Sequence, residues 1–331
     1  MMHEFLHIET PLIESVPLSA GVQGKVWLKM EALQPSGSFK LRGIGYACQQ
    51  YVREGAKSFI SSSGGNAGIA VAYAGRKLGI PVIVVVPETT SQQALEVLRQ
   101  EEAQVKIHGS TWQEAHTYAV ELSQESKAVY LHPFDNPLLW TGHATVIDEV
   151  RQSGIVPDVV VLSVGGGGLL CGVIEGLRRN DMAHVPILAV ETEGADSLGA
   201  SLRAGQHVEI EDIKSIATSL GAKKVASAAY QWCSRHEVAS HVVSDREAVA
   251  ACLRFAQDHR LLVEPACGAS LAALYDEADF LSGKQNILVI VCGGVGVTIS
   301  QLEQWESALS DQAVRAPTAN PVKALGKSPE V

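Results

Sequence analysis

The feature that most constrains this chain is a series of short, unbroken apolar runs rich in β-branched residues, each bounded by turn-forming residues. They fall at residues 25–30, 57–61, 82–86, 105–108, 129–132, 159–164, 187–191, 241–243 and 287–292. A strand with one wet face alternates apolar and polar side chains, whereas a continuous apolar run predicts a strand covered on both faces. Between the runs, residues 68–78, 92–101, 112–122, 169–178, 246–258 and 297–309 place apolar side chains at helical spacing. Strands alternating with helices predict an α/β protein with parallel sheets. These strands are too many for one small sheet and no fixed-period repeat is present, so two α/β domains are expected.

Composition narrows the partners. The chain has 331 residues, of which 46% are hydrophobic, and 26 Lys and Arg stand against 36 Asp and Glu, a formal charge of −10. Nucleic acid and anionic membranes call for a basic surface, so neither is expected as the main partner. No basic segment followed by an apolar stretch opens the sequence, and no apolar run approaches the roughly 18 residues of a membrane span. The six cysteines (48, 171, 233, 252, 267 and 292) form no CxxC pair, as expected of reduced thiols in a cytoplasmic protein. From Ala316 onward the sequence turns small, polar and proline-bearing. That pattern predicts a disordered tail after a folded part ending near Ser310.

Four glycine- or serine-rich turns carry the chemistry. In Pro35-Ser36-Gly37-Ser38-Phe39-Lys40, a turn leads into a helix whose first turn holds Lys40. A cation there is disfavoured by the helix dipole, which lowers its pKa and favours a neutral nucleophile. Alone, the segment fits a surface lysine equally well. Ser61-Ser62-Ser63-Gly64-Gly65-Asn66 precedes an apolar helix, where free amides suit a carboxylate or phosphate, although Asn66 could simply cap the helix. Val164-Gly165-Gly166-Gly167-Gly168-Leu169 lets backbone amides wrap a phosphate at a helix start. Finally, Cys292 ends an apolar strand ahead of Gly293-Gly294, the end of an open α/β sheet at which ligands bind; a buried core cysteine gives the same pattern.

Other readings fail on spacing. The dinucleotide fingerprint GxGxxG breaks at Cys171 or at Leu170, depending on the starting glycine, although Glu191 ends a strand about 20 residues on, where a ribose-binding acid would stand. His236 and His241 lie five apart, not on one helical face as a zinc protease requires. His143 shows no ligand spacing and reads as a satisfied structural residue.

PSGSFKLRG, SSSGGNAG, SVGGGGLL, LVEPACGA and VIVCGG occur in this order between about Thr10 and Leu309. Together they resemble the fold type II, tryptophan-synthase-β-like, pyridoxal-phosphate enzymes, and within them the short serine dehydratase/threonine deaminase family. The resemblance implies two domains of parallel-rich twisted sheets flanked by helices: 1–33 plus 137–312 as the cofactor-binding domain, 34–136 as the smaller one, and 313–331 as a tail. It implies that Lys40 bonds the cofactor and later serves as base, that Phe39 packs beside the pyridine ring, and that Asn66 holds the ring oxygen. Gly165, Gly166, Gly167, Gly168 and Leu169 would bind the phosphate, and Cys292 would face the pyridine nitrogen. Ser63, Gly64, Gly65 and Ala67 would take the substrate carboxylate. A monovalent cation such as K+ would sit among Glu191, Ala195, Ser197, Leu220, Ala222 and the Gly165 carbonyl.

The reaction so implied is β-elimination from L-serine or L-threonine, giving ammonia and a 2-oxo acid, in a homodimer. Racemases of this fold place a serine where Gly64 stands, so racemization should be weak and extra room is expected there. A sulfhydrylase, threonine synthase or racemase is the nearest competing reading, and a nicotinamide-dependent dehydrogenase the competitor from another class.

Overall fold

A computed structural model of the chain describes residues 5–315. Five strands, β2 (Lys25–Lys29), β7 (Val159–Ser163), β8 (Ile187–Thr192), β9 (Val238–Val243) and β10 (Asn286–Ile290), run parallel in one sheet, and the short β1 (Leu12–Glu14) joins its edge antiparallel to β2. The order is β1-β2-β10-β7-β8-β9. A second, fully parallel sheet has β3 (Phe59–Ser61), β4 (Val82–Val86), β5 (Gln104–Ile107) and β6 (Val129–Tyr130) in the order β5-β4-β3-β6. The sequence reading found every strand but β1, whose three residues are too short for an apolar run and lie half-exposed at the edge.

Burial follows the reasoning from unbroken apolar runs. All five residues of β7 and all six of β8 are buried, between helices on both faces of the sheet. One apolar core surrounds the larger sheet and two flank the smaller. All six cysteines are free. Among the described residues no helix is long and apolar enough to cross a membrane.

The helices Lys40–Arg53 and Pro137–Gln152 pack against each other between the two sheets. The second begins with Pro137 behind Asn136, whose side chain accepts from Leu138 N at 2.9 Å. This is an N-cap followed by proline in the first turn. Beneath them lies a buried ion cluster. Arg42 is bidentate to Glu31 (2.6 and 2.7 Å) and to Glu149 (2.6 and 2.7 Å), and Lys29 also pairs with Glu149. The last helix, Ile299–Arg315, continues past the expected end near Ser310, and the expected tail at 316–331 lies outside the described residues.

The three turns that follow β3, β7 and β10 all leave the carboxyl ends of parallel strands, the edge where α/β sheets collect ligands.

Candidate active site

Lys40 is the first residue of its helix and half-buried. Its Nζ donates to the Pro133 carbonyl at 2.8 Å and stands 5.1 Å from the centre of the Phe39 ring. Burial lowers the amine pKa to about 8, against the opposing charge of Glu264. The leading cause is thus desolvation, not the helix dipole invoked from sequence. Phe39 N donates to the Cys292 carbonyl at 3.1 Å, and Ser38 bridges to Gly293. These contacts tie the start of the Lys40 helix to the end of β10.

Asn66 does not cap its helix. Gly65 is the cap residue and Asn66 the first helical one, so the amide is available elsewhere. Its Nδ2 donates to Glu264 Oε1 at 2.8 Å and lies 3.5 Å from Ser219 Oγ, while its Oδ1 accepts from Val295 N at 3.3 Å. This one side chain joins the helix after β3 to three segments that lie around the larger sheet.

Glu264 is the residue that sequence reasoning missed. It is 6% exposed, and burial raises its pKa despite hydrogen bonds from Ser219, Asn66 and Gly296. Gly294, at φ +120°, closes over it so tightly that a Cβ would lie 2.0 Å from Glu264 Cδ. A detectable sign exists in Glu264-Pro265. A proline in the first turn marks Glu264 as the cap position, yet its side chain makes no capping bond. Glutamate is a poor cap, which leaves the carboxylate for other work.

The tetraglycine turn lacks room for side chains. A Cβ on Gly166 would fall 2.1 Å from Cγ of Phe134, and one on Gly165 2.9 Å from Cα of Leu220. Gly167 takes φ +85°, caps the helix Gly168–Arg179 and supplies no side-chain acceptor, so the first-turn amides there, that of Leu169 included, keep their donor capacity. Such a turn suits a phosphate. Cys292 is 7% exposed; a hydrogen bond with Cys267 and burial push its thiol well above the usual range, so it stays neutral.

In the loop after β3, Ser63 Oγ accepts from Gly65 N at 3.3 Å, and Ala67 is buried at the helix start. A Cβ on Gly65 would meet nothing within 4 Å, but one on Gly64 would lie 3.0 Å from Thr90 Cγ2 and 3.2 Å from Val86 Cγ1. The extra room expected beside Gly64 is therefore already taken by Thr90 and Val86, and the open side of this loop is at Gly65.

Glu191 has a local task. Its two oxygens accept from Leu198 N (2.8 Å) and Gly199 N (2.7 Å), and burial raises its pKa to about 7. A carboxylate so engaged with its own turn does not present itself to a ribose, which removes the residue that favoured a dehydrogenase. Ala195 and Ser197 are buried in that turn, with Ser197 Oγ unpartnered. Leu220 packs its backbone on Gly165, and Ala222 N donates to Leu220 O at 2.7 Å. Among the described residues no cluster of three or more His, Cys, Asp or Glu side chains could hold a metal.

His143 departs from expectation. It is fully buried, and neither ring nitrogen has a partner among the described residues. Its ring lies 4.9 Å from that of Phe39, and burial, with the Lys40 charge next, drives its pKa well down.

The model of a family described as pyridoxal-phosphate dependent enzyme matches residues 4–293. A mouse protein named serine dehydratase-like is 49% identical over 92% of this chain and 96% of its own length. A human protein named L-serine dehydratase/L-threonine deaminase is 43% identical over 93% and 97%. Among solved structures, a fungal L-serine ammonia-lyase from Rhizomucor miehei superposes with a TM-score of 0.86 at 36% identity, covering 92% of this chain and 99% of its own. Maize serine racemase superposes with a TM-score of 0.83 at 25% identity, over 93% and 94% of the two chains.

Proposed function

The chain belongs to the pyridoxal-phosphate dependent enzyme family, and from that membership we infer that it removes the β-hydroxyl of L-serine or L-threonine, releasing ammonia with pyruvate or 2-oxobutanoate. The observation that carries the reading is the convergence of a desolvated amine at Lys40, the uncapped amide Asn66 and the side-chain-free glycine turn at one edge of the sheets. Relatives named for serine and threonine elimination give the substrate class.

The residues present fit the cofactor. A tetraglycine cradle that a Cβ would fill, opening an uncapped helix, accepts a phosphate through the amides of Gly165, Gly166, Gly167, Gly168 and Leu169. Lys40 would bond it covalently, Asn66 would hold its ring oxygen, Phe39 would pack beside the ring and Cys292 would face the ring nitrogen. Ser63, Gly64, Gly65 and Ala67 would receive the substrate carboxylate. When bound, the cofactor supplies an electron sink for charge developing at Cα.

The side chains supply the rest. With a pKa near 8, the Lys40 amine is neutral in part at physiological pH and takes up a proton readily. A neutral thiol at Cys292 cannot hold a proton on a ring nitrogen as a carboxylate would, which weakens the sink and favours prompt elimination over transamination. Gly64 has no side chain to return a proton from the opposite face, so racemization is weak. A monovalent cation bound by Glu191, Ala195, Ser197, Leu220, Ala222 and the Gly165 carbonyl would brace the glycine turn from behind. The division at 33/34 and 136/137, a homodimeric assembly and a cytoplasmic location complete the reading; free thiols throughout suit a reducing compartment.

Purified protein given L-serine or L-threonine should form the corresponding keto acid, with little D-serine in recovered substrate. Absence of keto acid from both, alongside turnover of O-acetylserine with sulfide, would replace this reading with a sulfhydrylase. Substantial D-serine would overturn the argument from Gly64.

A further inference from the structure

The segment between β6 and the helix Pro137–Gln152 touches both ends of the site. Pro133 offers its carbonyl to Lys40 Nζ at 2.8 Å. The next residue, Phe134, lays its ring against Gly166 of the phosphate-binding turn, and its carbonyl accepts from Trp140 Nε1 at 2.9 Å. Proline has no N–H, so Pro133 cannot be held through its own amide. The direction of its carbonyl is set by its neighbours.

His132 supplies that restraint. Its Nδ1 lies 2.8 Å from Asp135 N and 3.3 Å from Phe134 N, accepting from both, and its ring meets the Phe134 ring edge-on at 4.7 Å. A nitrogen that accepts two amide hydrogens must be unprotonated, which places the proton of the neutral ring on Nε2. Burial lowers the His132 pKa to about 4; Asp135 opposes the shift, while His116 and Lys40 add to it. The clamp therefore stays intact at any pH at which the enzyme would work.

We propose that His132 is a positioning residue for Lys40: by gathering the Phe134 and Asp135 amides it fixes the Pro133 carbonyl as the dock for the lysine amine whenever that amine is free. This deepens the elimination reading and rests on it. A lysine side chain left unrestrained samples many rotamers and loses that freedom when it is held. A fixed acceptor removes much of that freedom before the amine is needed as a base, and it stabilises the ammonium formed when the amine takes up a proton. Because Phe134 belongs to the same clamp, amine and phosphate turn are held in one register.

The test compares His132→Leu, which removes the acceptor, with His132→Asn, whose Oδ1 can take the place of Nδ1. For the Leu variant we expect kcat about tenfold or more below wild type with KM nearly unchanged. The ionisation near pH 8 in the kcat profile should move to lower pH, since the ammonium loses its acceptor. Hydrogen exchange in the holoenzyme gives a readout independent of turnover: the Phe134 and Asp135 amides should lose protection in the Leu variant and keep it in the Asn variant, which should also regain most of the rate. A Leu variant with wild-type kcat and pH profile would overturn the proposal. So would an Asn variant that is as slow as Leu while its amides stay protected. Wild-type protein that forms no keto acid would sink the elimination reading instead, leaving amide protection to decide the role of His132.

Discussion

Replacing Arg42 by methionine tests how the Lys40 helix is anchored. The guanidinium makes two bidentate pairs, with Glu31 and with Glu149. Arg42, Glu31 and Lys29 are each at most 1% exposed in their side chains, and Glu149 is 12% exposed. Two cations balance two carboxylates, so truncation leaves one negative charge buried without a partner. Breaking a buried pair from one side costs about 3–5 kcal/mol, roughly a hundred- to several-thousand-fold in the folding equilibrium. The loss should depend on pH. Burial would raise the Glu149 carboxyl, yet hydrogen bonds and charge from Arg42 and Lys29 hold it below the usual range. In wild type, this contribution is present above the unfolded carboxyl pKa of about 4.3 and is lost as pH falls below it. In Arg42→Met the carboxylates are under-compensated, and a folded pKa raised above the unfolded value makes the penalty grow as pH rises. Urea unfolding of both proteins at pH 5 and pH 8 should show the larger deficit at pH 8, and Arg42→Lys, which keeps the charge without the planar fork, should recover part of it. A deficit under about 1 kcal/mol at pH 8, or one equal at both pH values, would refute the reasoning.

Three further outcomes follow from the site. Lys40→Ala should lose both the visible absorbance of bound cofactor and keto-acid formation, and retention of both would remove the lysine from its assigned role. Turnover should rise with pH up to about 8 and then level, because the proposed base is the neutral form of an amine whose pKa is lowered to about 8. Glu264→Gln should move that limb to lower pH, since the carboxylate's charge favours the ammonium; an unmoved limb would deny the two groups any contact. In Gly166→Ala a methyl would meet the Phe134 ring at 2.1 Å. The displaced ring should weaken cofactor binding about tenfold or more, at an overpacking cost of roughly 1–3 kcal/mol, and cofactor titration by absorbance would measure it.

The larger elements were legible because they rest on burial on both faces, which a sequence displays as unbroken Val, Ile and Leu. Strands such as β7 and β8 need no distant information. What escaped depended on a partner elsewhere in the chain. β1 is a strand only because β2 lies beside it, and the helix Pro137–Gln152 carries its buried face against two other helices, though Asn136-Pro137 marks its start. Asn66 looked equally like a cap and a ligand-binding residue, since a helix start rewards both; only the placement of Glu264, nearly 200 residues on, separates them. The same distance hid Glu264 itself. The lowered amine pKa of Lys40 follows from sequence for a partly mistaken reason, because the dipole is readable there and desolvation is not.

Three of the buried polar groups without a partner share a location. Ser36, Ser38 and His143 are buried with polar atoms that find no partner among the described residues, and all three lie at or beside the start of the Lys40 helix. An unpaired buried polar atom costs about 1–3 kcal/mol, so a chain shaped for stability alone would place apolar side chains there. The fold offsets that cost at a distance, in the apolar layers around β7 and β8 and in the compensated Arg42 cluster on the far side of the same helix. Departures from local rules of this kind gather at functional sites, and the rest of the fold compensates for them. The helix that opens with Lys40 is thus anchored on one side by a compensated ion cluster and carries unpaired polar groups at its start, where the amine is desolvated.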